Sequence, residues 1–414
     1  MLSITLYLCT MNKIRIGILR EGKVPYDKRV PFTPLQCKQI QEFFPNVEVY
    51  VQSSPYRCYP DEDYASLGLT VQPDISKSDI LIGIKEVPVK DLISGKTYLF
   101  FSHTIKSQVR NKALLQEIIK KKITLIDYEC LTDKEGNRII GFGRYAGIVG
   151  AYNGISGYGK KYNLFDLKRA CLFKNKSEMD EELKKVVLPN LKILITGGGR
   201  VANGATEIMG ALKIRRVSPY EFLNYSFHEP VYARLHSKDY HVAKDGSVWN
   251  SDNFYSHPEK YVSTFKRYTT VCDILMHSVF WNPKAPVLFT REDMKSNKFS
   301  IRVISDITCD INGSIPATTR ASNIEEPFYD YNPLTEKEEA PFSNNTITIM
   351  AVDNLPCELP KDSSADFGKN LIDHVLSSLF INDKEGIIER ATIAKDGQLK
   401  ENYNYLKEYI SGDL

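Results

Sequence analysis

Two stretches of the sequence place ionisable side chains directly after short apolar runs. Lys85 and Glu86 follow the run at residues 79–83, and His103 follows the run at 98–101. If both runs are strands of a parallel sheet, these side chains lie at its carboxyl edge, where such sheets bind ligands. An apolar environment lowers the pKa of a lysine towards neutral pH, and a histidine already titrates in that range. Lys85 and His103 together predict acid–base chemistry, although each residue alone is more often a surface lysine or a structural histidine.

Two loops carry further charged residues. The loop at 19–34 contains prolines and a glycine, and it carries Lys23 and Arg29. Such a cluster can hold carboxylates, with Arg29 forming a bidentate pair, or it can be a solvated basic loop. Asp306 and Asp310 flank the end of another apolar run. They could orient the acid–base pair or receive an ammonium group, and an Asx turn is the structural alternative for Asp310.

A glycine turn in mid-sequence indicates a dinucleotide pocket. Residues 191–205 (LKILITGGGRVANGA) read as a strand, a glycine turn and a helix. Glycines let the backbone approach a pyrophosphate, and the helix N-terminus offers free N–H groups. Gly197, Gly199 and Ala202 fit this pattern, although a turn that only packs a helix on a sheet gives a similar string. About 190 residues precede the motif, enough for a separate domain that captures the substrate.

Apolar runs alternate with helix-period stretches on both sides of the glycine turn. This alternation predicts an α/β fold with two Rossmann-like doubly wound domains, mostly parallel sheets and an active site in the cleft between the domains. We predict a substrate domain at 11–150 plus 345–414 and a dinucleotide-binding domain at 151–344. Within the latter we expect an aperiodic insertion at 225–261. Further strands are predicted at 192–196, 214–217, 273–278, 302–305 and 346–352, and helices at 148–159, 200–212, 364–380 and 400–410.

The composition excludes several classes of protein. The chain has 414 residues, 42% of them hydrophobic, which is enough for two sizeable cores. Its 54 basic and 51 acidic residues leave a net charge of +3, so we expect neither nucleic acid nor membrane as a partner. The eight cysteines show no metal-ligand spacing, which predicts reduced thiols, a cytoplasmic location and no metal site. Residues 1–10 resemble no signal peptide, and Met11 is an alternative start.

Six strings, in this order, resemble one family: residues 84–88 (IKEVP), 100–106 (FFSHTIK), 125–129 (LIDYE), 142–147 (FGRYAG), 306–315 (DITCDINGSI) and 351–360 (AVDNLPCELP). They are similar to the lysine-forming saccharopine dehydrogenases of the alanine dehydrogenase and transhydrogenase superfamily. The closest likeness is to the lysine-ketoglutarate reductase half of the aminoadipic semialdehyde synthases. It extends to the segments 257–262 (HPEKYV) and 278–282 (SVFWN).

The resemblance implies an NAD(P)-dependent oxidoreductase of lysine metabolism. Its small-molecule substrates would be lysine, 2-oxoglutarate and saccharopine, and its cofactor NAD or NADP. The family's acid–base pair matches Lys85 and His103, with Glu86 and Glu129 as carboxylates that set their pKa values. The remaining implied positions are Lys23, Arg29, Arg144 and Asp310 for the substrate, and Gly197, Gly199, Arg200, Val201, Ala202, Ser218, Ser278 and Val279 for the cofactor.

Two departures from the family pattern leave questions open. An NAD site usually has an acidic residue about 20 residues after the glycines, but the predicted strand at 214–217 ends at Ser218. Arg215 or Arg216 could meet a 2′-phosphate, or both could be surface residues. The fused reductases also carry a saccharopine-oxidising module, so we expect that step to need a separate enzyme. An alanine dehydrogenase or other opine dehydrogenase is the alternative enzyme, and a non-catalytic metabolite-binding protein is a third reading.

Overall fold

The computed structural model of the chain describes residues 13–412. These residues form two compact units, unit 1 (13–142 and 360–412) and unit 2 (143–359). The boundaries at 142/143 and 359/360 differ from those predicted at 150 and 345. They differ because the helix Gly143–Lys161 packs in the core of unit 2, and because the strand Ile347–Met350 pairs within the sheet of unit 2. The alternative start at Met11 lies outside the described residues.

The first unit contains an eight-stranded sheet. With strands numbered in chain order through both units, the order across the sheet is β18-β17-β6-β5-β4-β1-β2-β3. Strands β1 to β6 are parallel to one another, and β17 and β18 are antiparallel additions at one edge. The strands are β1 (Ile14–Ile18), β2 (Val47–Gln52), β3 (Thr70–Gln72), β4 (Ile80–Ile82), β5 (Thr97–Phe100), β6 (Thr124–Asp127), β17 (Thr392–Lys395) and β18 (Gln398–Leu399).

Local sequence explains several elements of unit 1. The residues of β2 alternate between buried and half-buried, as expected for a strand with one face toward a core. The helix Pro34–Phe43 starts with Pro34, and a reciprocal capping box between Thr33 and Gln36 satisfies its first N–H groups. The α-helices of this unit are Pro34–Phe43, Asp61–Ala65, Lys112–Lys120, Pro360–His374, Leu376–Phe380, Ile387–Ala391 and Lys407–Ile410.

The second unit contains another eight-stranded sheet in the order β15-β14-β16-β13-β12-β7-β9-β8. Its strands are parallel except for β14 and β15, and β10 and β11 form a separate antiparallel pair. The strands are β7 (Lys192–Thr196), β8 (Arg215–Arg216), β9 (Val231–Leu235), β10 (His241–Ala243), β11 (Tyr261–Ser263), β12 (Ile274–His277), β13 (Val303–Asp306), β14 (Phe328–Asn332), β15 (Lys337–Glu339) and β16 (Ile347–Met350).

Glycines allow two helices of unit 2 to pack closely. A Cβ on Gly147 would lie 1.9 Å from the carbonyl oxygen of Val201, and one on Gly204 would lie 1.9 Å from that of Arg144. Only glycine permits this backbone approach between Gly143–Lys161 and Arg200–Ala211. The α-helices of unit 2 are Gly143–Lys161, Lys176–Glu182, Arg200–Ala211, Pro219–Asn224, Ser251–Ser256, Lys266–Thr269 and Arg291–Met294.

The predicted fold class is confirmed, with corrections to individual elements. The largest correction is β9, a fully paired strand inside the region 225–261 that we expected to be aperiodic. The helix predicted at 364–380 is two helices, Pro360–His374 and Leu376–Phe380, and the final α-helix is only Lys407–Ile410. Among residues 13–412, no helix is long and apolar enough to cross a membrane.

Candidate functional site

The ionisable residues singled out in unit 1 follow four adjacent strands. Strands β6, β5, β4 and β1 lie side by side and parallel, so their carboxyl ends share one edge of the sheet. Glu129 follows β6, His103 follows β5, Lys85 and Glu86 follow β4, and Lys23 follows β1. We call these five residues the strand-end cluster. This edge is where open α/β sheets bind their ligands.

Lys85 is positioned through its backbone by a residue that the sequence did not single out. The two carboxylate oxygens of Glu21 accept hydrogen bonds from the backbone N–H groups of Ile84 (2.7 Å) and Lys85 (2.8 Å). Burial raises the pKa of the Glu21 carboxyl to about 8, with the nearby charge of Asp27 adding to the effect. Glu21 therefore links the loop after β1 to the loop after β4.

Lys23 and Glu86 form an ion pair within the strand-end cluster. The Lys23 Nζ lies 3.1 and 2.9 Å from the two carboxylate oxygens of Glu86. Burial acts to raise the pKa of Glu86, but the hydrogen bond and charge of Lys23, a backbone hydrogen bond and the charge of His103 together lower it below its usual value. The Lys23 side chain is 40% exposed, so its ammonium group is accessible to a ligand carboxylate.

His103 is held by Glu129. The His103 Nδ1 lies 3.1 Å from Oε2 of Glu129, while Lys106 and Arg138 contact Oε1 of Glu129 at 3.2 and 3.0 Å. Burial acts to raise the pKa of Glu129, but the hydrogen bond from His103 and the charges of Lys106 and Arg138 lower it to about 2. The ionised Glu129 accepts a hydrogen bond from the Nδ1–H group of His103. The nitrogen of His103 that can exchange a proton is therefore Nε2.

The backbone around His103 is also fixed. His103 has a φ of 55°, in the left-handed region that non-glycine residues seldom adopt. The preceding Ser102 donates its backbone N–H to Asp127 at 3.0 Å, and the backbone N–H of Glu129 donates to the same carboxylate at 2.7 Å. Asp127 is fully buried and therefore holds the two loops that carry His103 and Glu129. Non-glycine residues in this conformation cluster at functional sites.

Arg29 is engaged differently from the prediction that it clamps a substrate carboxylate. Its Nε and Nη2 donate to the two carboxylate oxygens of Asp27 at 3.0 and 2.6 Å, and its guanidinium lies 4.1 Å from the centroid of the Phe142 ring. Both side chains of the pair are almost completely buried. Asp27 therefore occupies the Nε and Nη2 donors of Arg29 that a substrate carboxylate would use for a bidentate pair on this side of the guanidinium.

The glycine turn of unit 2 borders a cavity of about 690 Å³. Gly197 has a φ of 103°, and a Cβ there would lie 3.0 Å from the hydroxyl of Ser278. A Cβ on Gly198 would lie 2.7 Å from Nδ1 of His236, whereas Gly199 has open space and precedes the helix Arg200–Ala211. A bare backbone turn at the N-terminus of a 12-residue helix, opening on a cavity of this size, fits a dinucleotide.

The strand next to the glycine strand is β9, and this corrects the prediction for Ser218. In Rossmann-type sheets the residues after the neighbouring strand meet the ribose of the cofactor. Here β9 separates β7 from β8, so those residues are His236, Ser237 and Lys238, and all three line the cavity. Ser218 instead caps the helix Pro219–Asn224 in a capping box with Glu221. The hydroxyl oxygen of Ser218 accepts a hydrogen bond from the backbone N–H of Glu221.

The other predicted cofactor residues divide into two groups. Gly197, Gly199, Ser278 and Val279 line the cavity. Ala202 is fully buried, and the carbonyl of Val201 faces Gly147, so the first turn of this helix serves helix packing. Arg200 is the first residue of that helix.

Arg144 and Asp310 both lie in unit 2. Arg144 forms a bidentate pair with Glu207, at 2.6 Å from Nε and 2.8 Å from Nη2. Asp310 lies in the turn after β13, where its carbonyl accepts the backbone N–H of Gly313 at 2.9 Å. Asp306, the second aspartate of this stretch, is buried and accepts from the hydroxyls of Thr308 and Thr318. The contacts of Asp306 give it a structural role.

Sequence comparison supports the resemblance drawn from the six strings. The family model "Alanine dehydrogenase/PNT, N-terminal domain" matches residues 17–149. This part of the chain is therefore similar to the alanine dehydrogenase/PNT N-terminal domain family. The matched range contains the whole strand-end cluster, and the predicted resemblance is confirmed.

Several curated proteins are similar over most of the chain. The mitochondrial alpha-aminoadipic semialdehyde synthase of Rattus norvegicus is 29% identical over 96% of this chain and 48% of its own length. The synthase of Arabidopsis thaliana is 28% identical over 94% of this chain and 41% of its own length. A saccharopine dehydrogenase [NAD(+), L-lysine-forming] of Neurospora crassa is 25% identical over 80% of this chain and 82% of its length. The chain thus spans about half the length of the synthases.

Solved structures share the fold. An L-alanine dehydrogenase superposes with a TM-score of 0.60 and 14% identity, covering 96% of this chain and 99% of its own. A transhydrogenase from Sinorhizobium meliloti gives a TM-score of 0.56 with 14% identity, covering 93% of this chain and 98% of its own. At this level of identity, the two structures establish the architecture alone.

Proposed function

We propose that the chain is a nicotinamide-dependent oxidoreductase of lysine metabolism that joins lysine and 2-oxoglutarate into saccharopine, or cleaves saccharopine in reverse. The ε-amine of lysine would attack the ketone of 2-oxoglutarate, and loss of water would give an imine. A hydride and a proton would then reduce the imine to a secondary amine. The observation that carries this proposal is the strand-end cluster, which gathers Lys85 and His103 with two carboxylates.

The cluster supplies the groups that such a sequence of proton transfers needs. The attacking amine must lose a proton, the carbinolamine hydroxyl must gain one to leave as water, and the reduced nitrogen must be protonated. The Nε2 atom of His103 is available for transfer because Nδ1 bonds to an ionised Glu129. Lys85, whose backbone is held by Glu21, would be the second proton carrier.

The exposed ammonium group of Lys23 is the best candidate to meet a substrate carboxylate. Its partner Glu86 already neutralises it, so a dicarboxylate ligand would compete with Glu86 for the same three donors. Arg29 would support the site indirectly, because its pair with Asp27 fixes the loop between Lys23 and the helix Pro34–Phe43.

The glycine turn and the cavity of unit 2 would hold the nicotinamide dinucleotide. When bound, it would supply or accept the hydride. Gly197 and Gly199 would face the pyrophosphate, and His236, Ser237 and Lys238 would face the adenosine ribose. The relatives include proteins described as NAD(+) saccharopine dehydrogenases, and we propose NAD or NADP as the cofactor.

Product analysis tests this function directly. The purified chain is incubated with ε-¹⁵N-lysine, 2-oxoglutarate and NADH or NADPH. The products are then separated, and their molecular masses are determined by mass spectrometry. The proposal predicts one labelled product that retains both carbon skeletons and has lost one oxygen as water. Lys85→Met, which removes the proposed proton carrier, should form this product more slowly. Lys90→Met is its matched control, because Lys90 is an exposed lysine on the same loop. Labelled lysine recovered unchanged, together with alanine formed in a parallel incubation with pyruvate and ammonia, would instead indicate the alanine dehydrogenase reaction.

A further inference from the structure

The outer wall of the unit 2 cavity is aromatic and comes from the region between β9 and β12. Tyr240, Trp249, Phe254 and Tyr255 line it on this side, and Phe280 and Trp281 line it after β12. No Asp or Glu occurs among the described residues that line this cavity. A wall of this composition favours a flat, uncharged ring system, which stacks well on aromatic side chains.

His241 contributes a hydrogen-bond acceptor to this wall. Its ring lies between those of Tyr240 and Phe254, with both ring centroids 4.5 Å away. Its Nδ1 lies 3.1 Å from the carbonyl oxygen of Ser237, so Nδ1 must carry the proton and donate it. Burial lowers the pKa of His241 to about 4, so the ring is neutral at pH 7. Its Nε2 is therefore an acceptor, and that buried atom has no hydrogen-bond partner within residues 13–412.

Trp249 contributes a donor to the same wall. Its Nε1–H is buried and likewise has no hydrogen-bond partner in the described part of the chain. Its ring centroid lies 6.0 Å from that of Phe254, whose ring also packs against His241. A buried polar group without a partner is costly, so both atoms are candidates for a hydrogen bond to a ligand of this cavity.

We propose that His241 and Trp249 recognise the adenine base of the dinucleotide. The exocyclic amino group of the base would donate to Nε2 of His241, and an adjacent ring nitrogen would accept the N–H of Trp249. The aromatic wall would stack against the base. This inference rests on the proposed function, because it assigns the base of the cofactor that the proposed reaction uses.

The proposed contacts make the pocket specific for the amino group of adenine. Hypoxanthine has a carbonyl oxygen at that position, so it can only accept a hydrogen bond there. Its oxygen would face the lone pair of His241 Nε2, and on its Watson–Crick edge the ring N–H would face the N–H of Trp249. A pocket that held the base by stacking alone would not distinguish the two.

Isothermal titration calorimetry of the full chain tests this inference. The titrants are NADH and NADPH, and the reduced hypoxanthine analogue of each. We expect both analogues to bind at least about tenfold more weakly than their adenine counterparts. His241→Phe removes the acceptor, and Trp249→Phe removes the donor while keeping an aromatic ring. In both variants the ratio of the two affinities should fall towards one.

Trp281→Phe is the matched control. Trp281 is the second of the two tryptophans in the chain and also lines the cavity, but its Nε1–H already donates to the carbonyl of Ala285 at 3.2 Å. Its replacement should leave the discrimination unchanged. Circular dichroism melting of each variant establishes that it is folded.

The possible results separate the inference from the proposed function. Equal affinity of the unmodified chain for adenine and hypoxanthine dinucleotides would overturn the inference and leave the proposed function standing. Discrimination that persists in both His241→Phe and Trp249→Phe would also overturn it. Absence of binding by all four dinucleotides would overturn the proposed function and the inference with it.

Discussion

The carboxylate of Glu21 accepts a 2.8 Å hydrogen bond from the backbone N–H of Lys85. A residue after β1 thereby fixes the loop after the neighbouring strand β4, which carries the proposed proton carrier. The same carboxyl group has its pKa raised to about 8 by burial, so it binds a proton across the neutral range. The structure couples the position of Lys85 to an acid that titrates just above neutral pH.

Glu21 should make the stability of unit 1 depend on pH. Its folded pKa of about 8 lies above the ordinary value of 4.5, so its contribution to stability is fully present below about pH 4.5 and is lost as the pH rises to about 8. Glu21→Gln cannot ionise. We expect the melting temperature of the unmodified chain, relative to that of Glu21→Gln, to fall between pH 5 and pH 8.5. A difference that is constant over this range would contradict the assignment.

Lys85→Met and His103→Gln should each lower turnover by about 10²-fold or more, the usual contribution of general acid–base catalysis. Dinucleotide binding should be nearly unchanged, because the cavity and the glycine turn belong to unit 2. Steady-state kinetics measures the turnover, and calorimetric titration measures the dinucleotide binding. Lys90→Met should behave like the unmodified chain. Full turnover in both Lys85→Met and His103→Gln would remove these residues from the mechanism.

Arg29→Ala should destabilise unit 1 more than it weakens substrate binding. It removes the guanidinium that pairs with the buried Asp27, and breaking a buried pair in this way costs about 3–5 kcal/mol. Adding Asp27→Ala should recover part of this loss, which denaturant unfolding of the single and double variants measures. If Arg29→Ala raises the KM for 2-oxoglutarate without lowering the free energy of unfolding, Arg29 is a substrate clamp after all.

Lys238 should favour NADPH over NADH. It lies directly after β9, where the cofactor ribose is expected, and no acidic residue lines the described cavity beside it. Lys238→Asp should weaken NADPH binding at least about tenfold and leave NADH binding unchanged or improved. Lys244→Asp is the control, because Lys244 belongs to the same region but does not line this cavity. Equal losses for the two dinucleotides in Lys238→Asp would argue against a 2′-phosphate contact.

The sequence predicted those parts of the site that follow directly on apolar runs. Lys85, Glu86 and His103 stand three or four residues after strands with strong β patterns, so the parallel sheet brings them to one edge. Glu21 was not singled out, because its role depends on the pairing of β1 with β4, which are about 60 residues apart in the chain. Its position three residues after the end of β1 was the one available indication.

The sequence does not reveal which strand lies next to the glycine strand, because the pattern of β9 is weak. The segment 231–235 (VYARL) lies among many polar and aromatic residues, which masked its strand pattern. Spacing along the chain alone predicts that β8 is the neighbour of the glycine strand and points to Ser218, whereas β8 is an edge strand. Strand order is set by tertiary packing of β9 against β7, and spacing along the chain does not reveal it. The buried pairing of Arg29 with Asp27 is likewise a tertiary property.

The formation of saccharopine from lysine and 2-oxoglutarate is tested most directly by an initial-rate assay. The oxidation of the reduced nicotinamide is followed by its near-ultraviolet absorbance in the presence of lysine plus 2-oxoglutarate. NADPH and NADH are compared in parallel, and pyruvate plus ammonia serves as the substrate control. We expect oxidation that requires both lysine and 2-oxoglutarate and is absent with the control substrates. Turnover with pyruvate and ammonia but none with lysine and 2-oxoglutarate would contradict it.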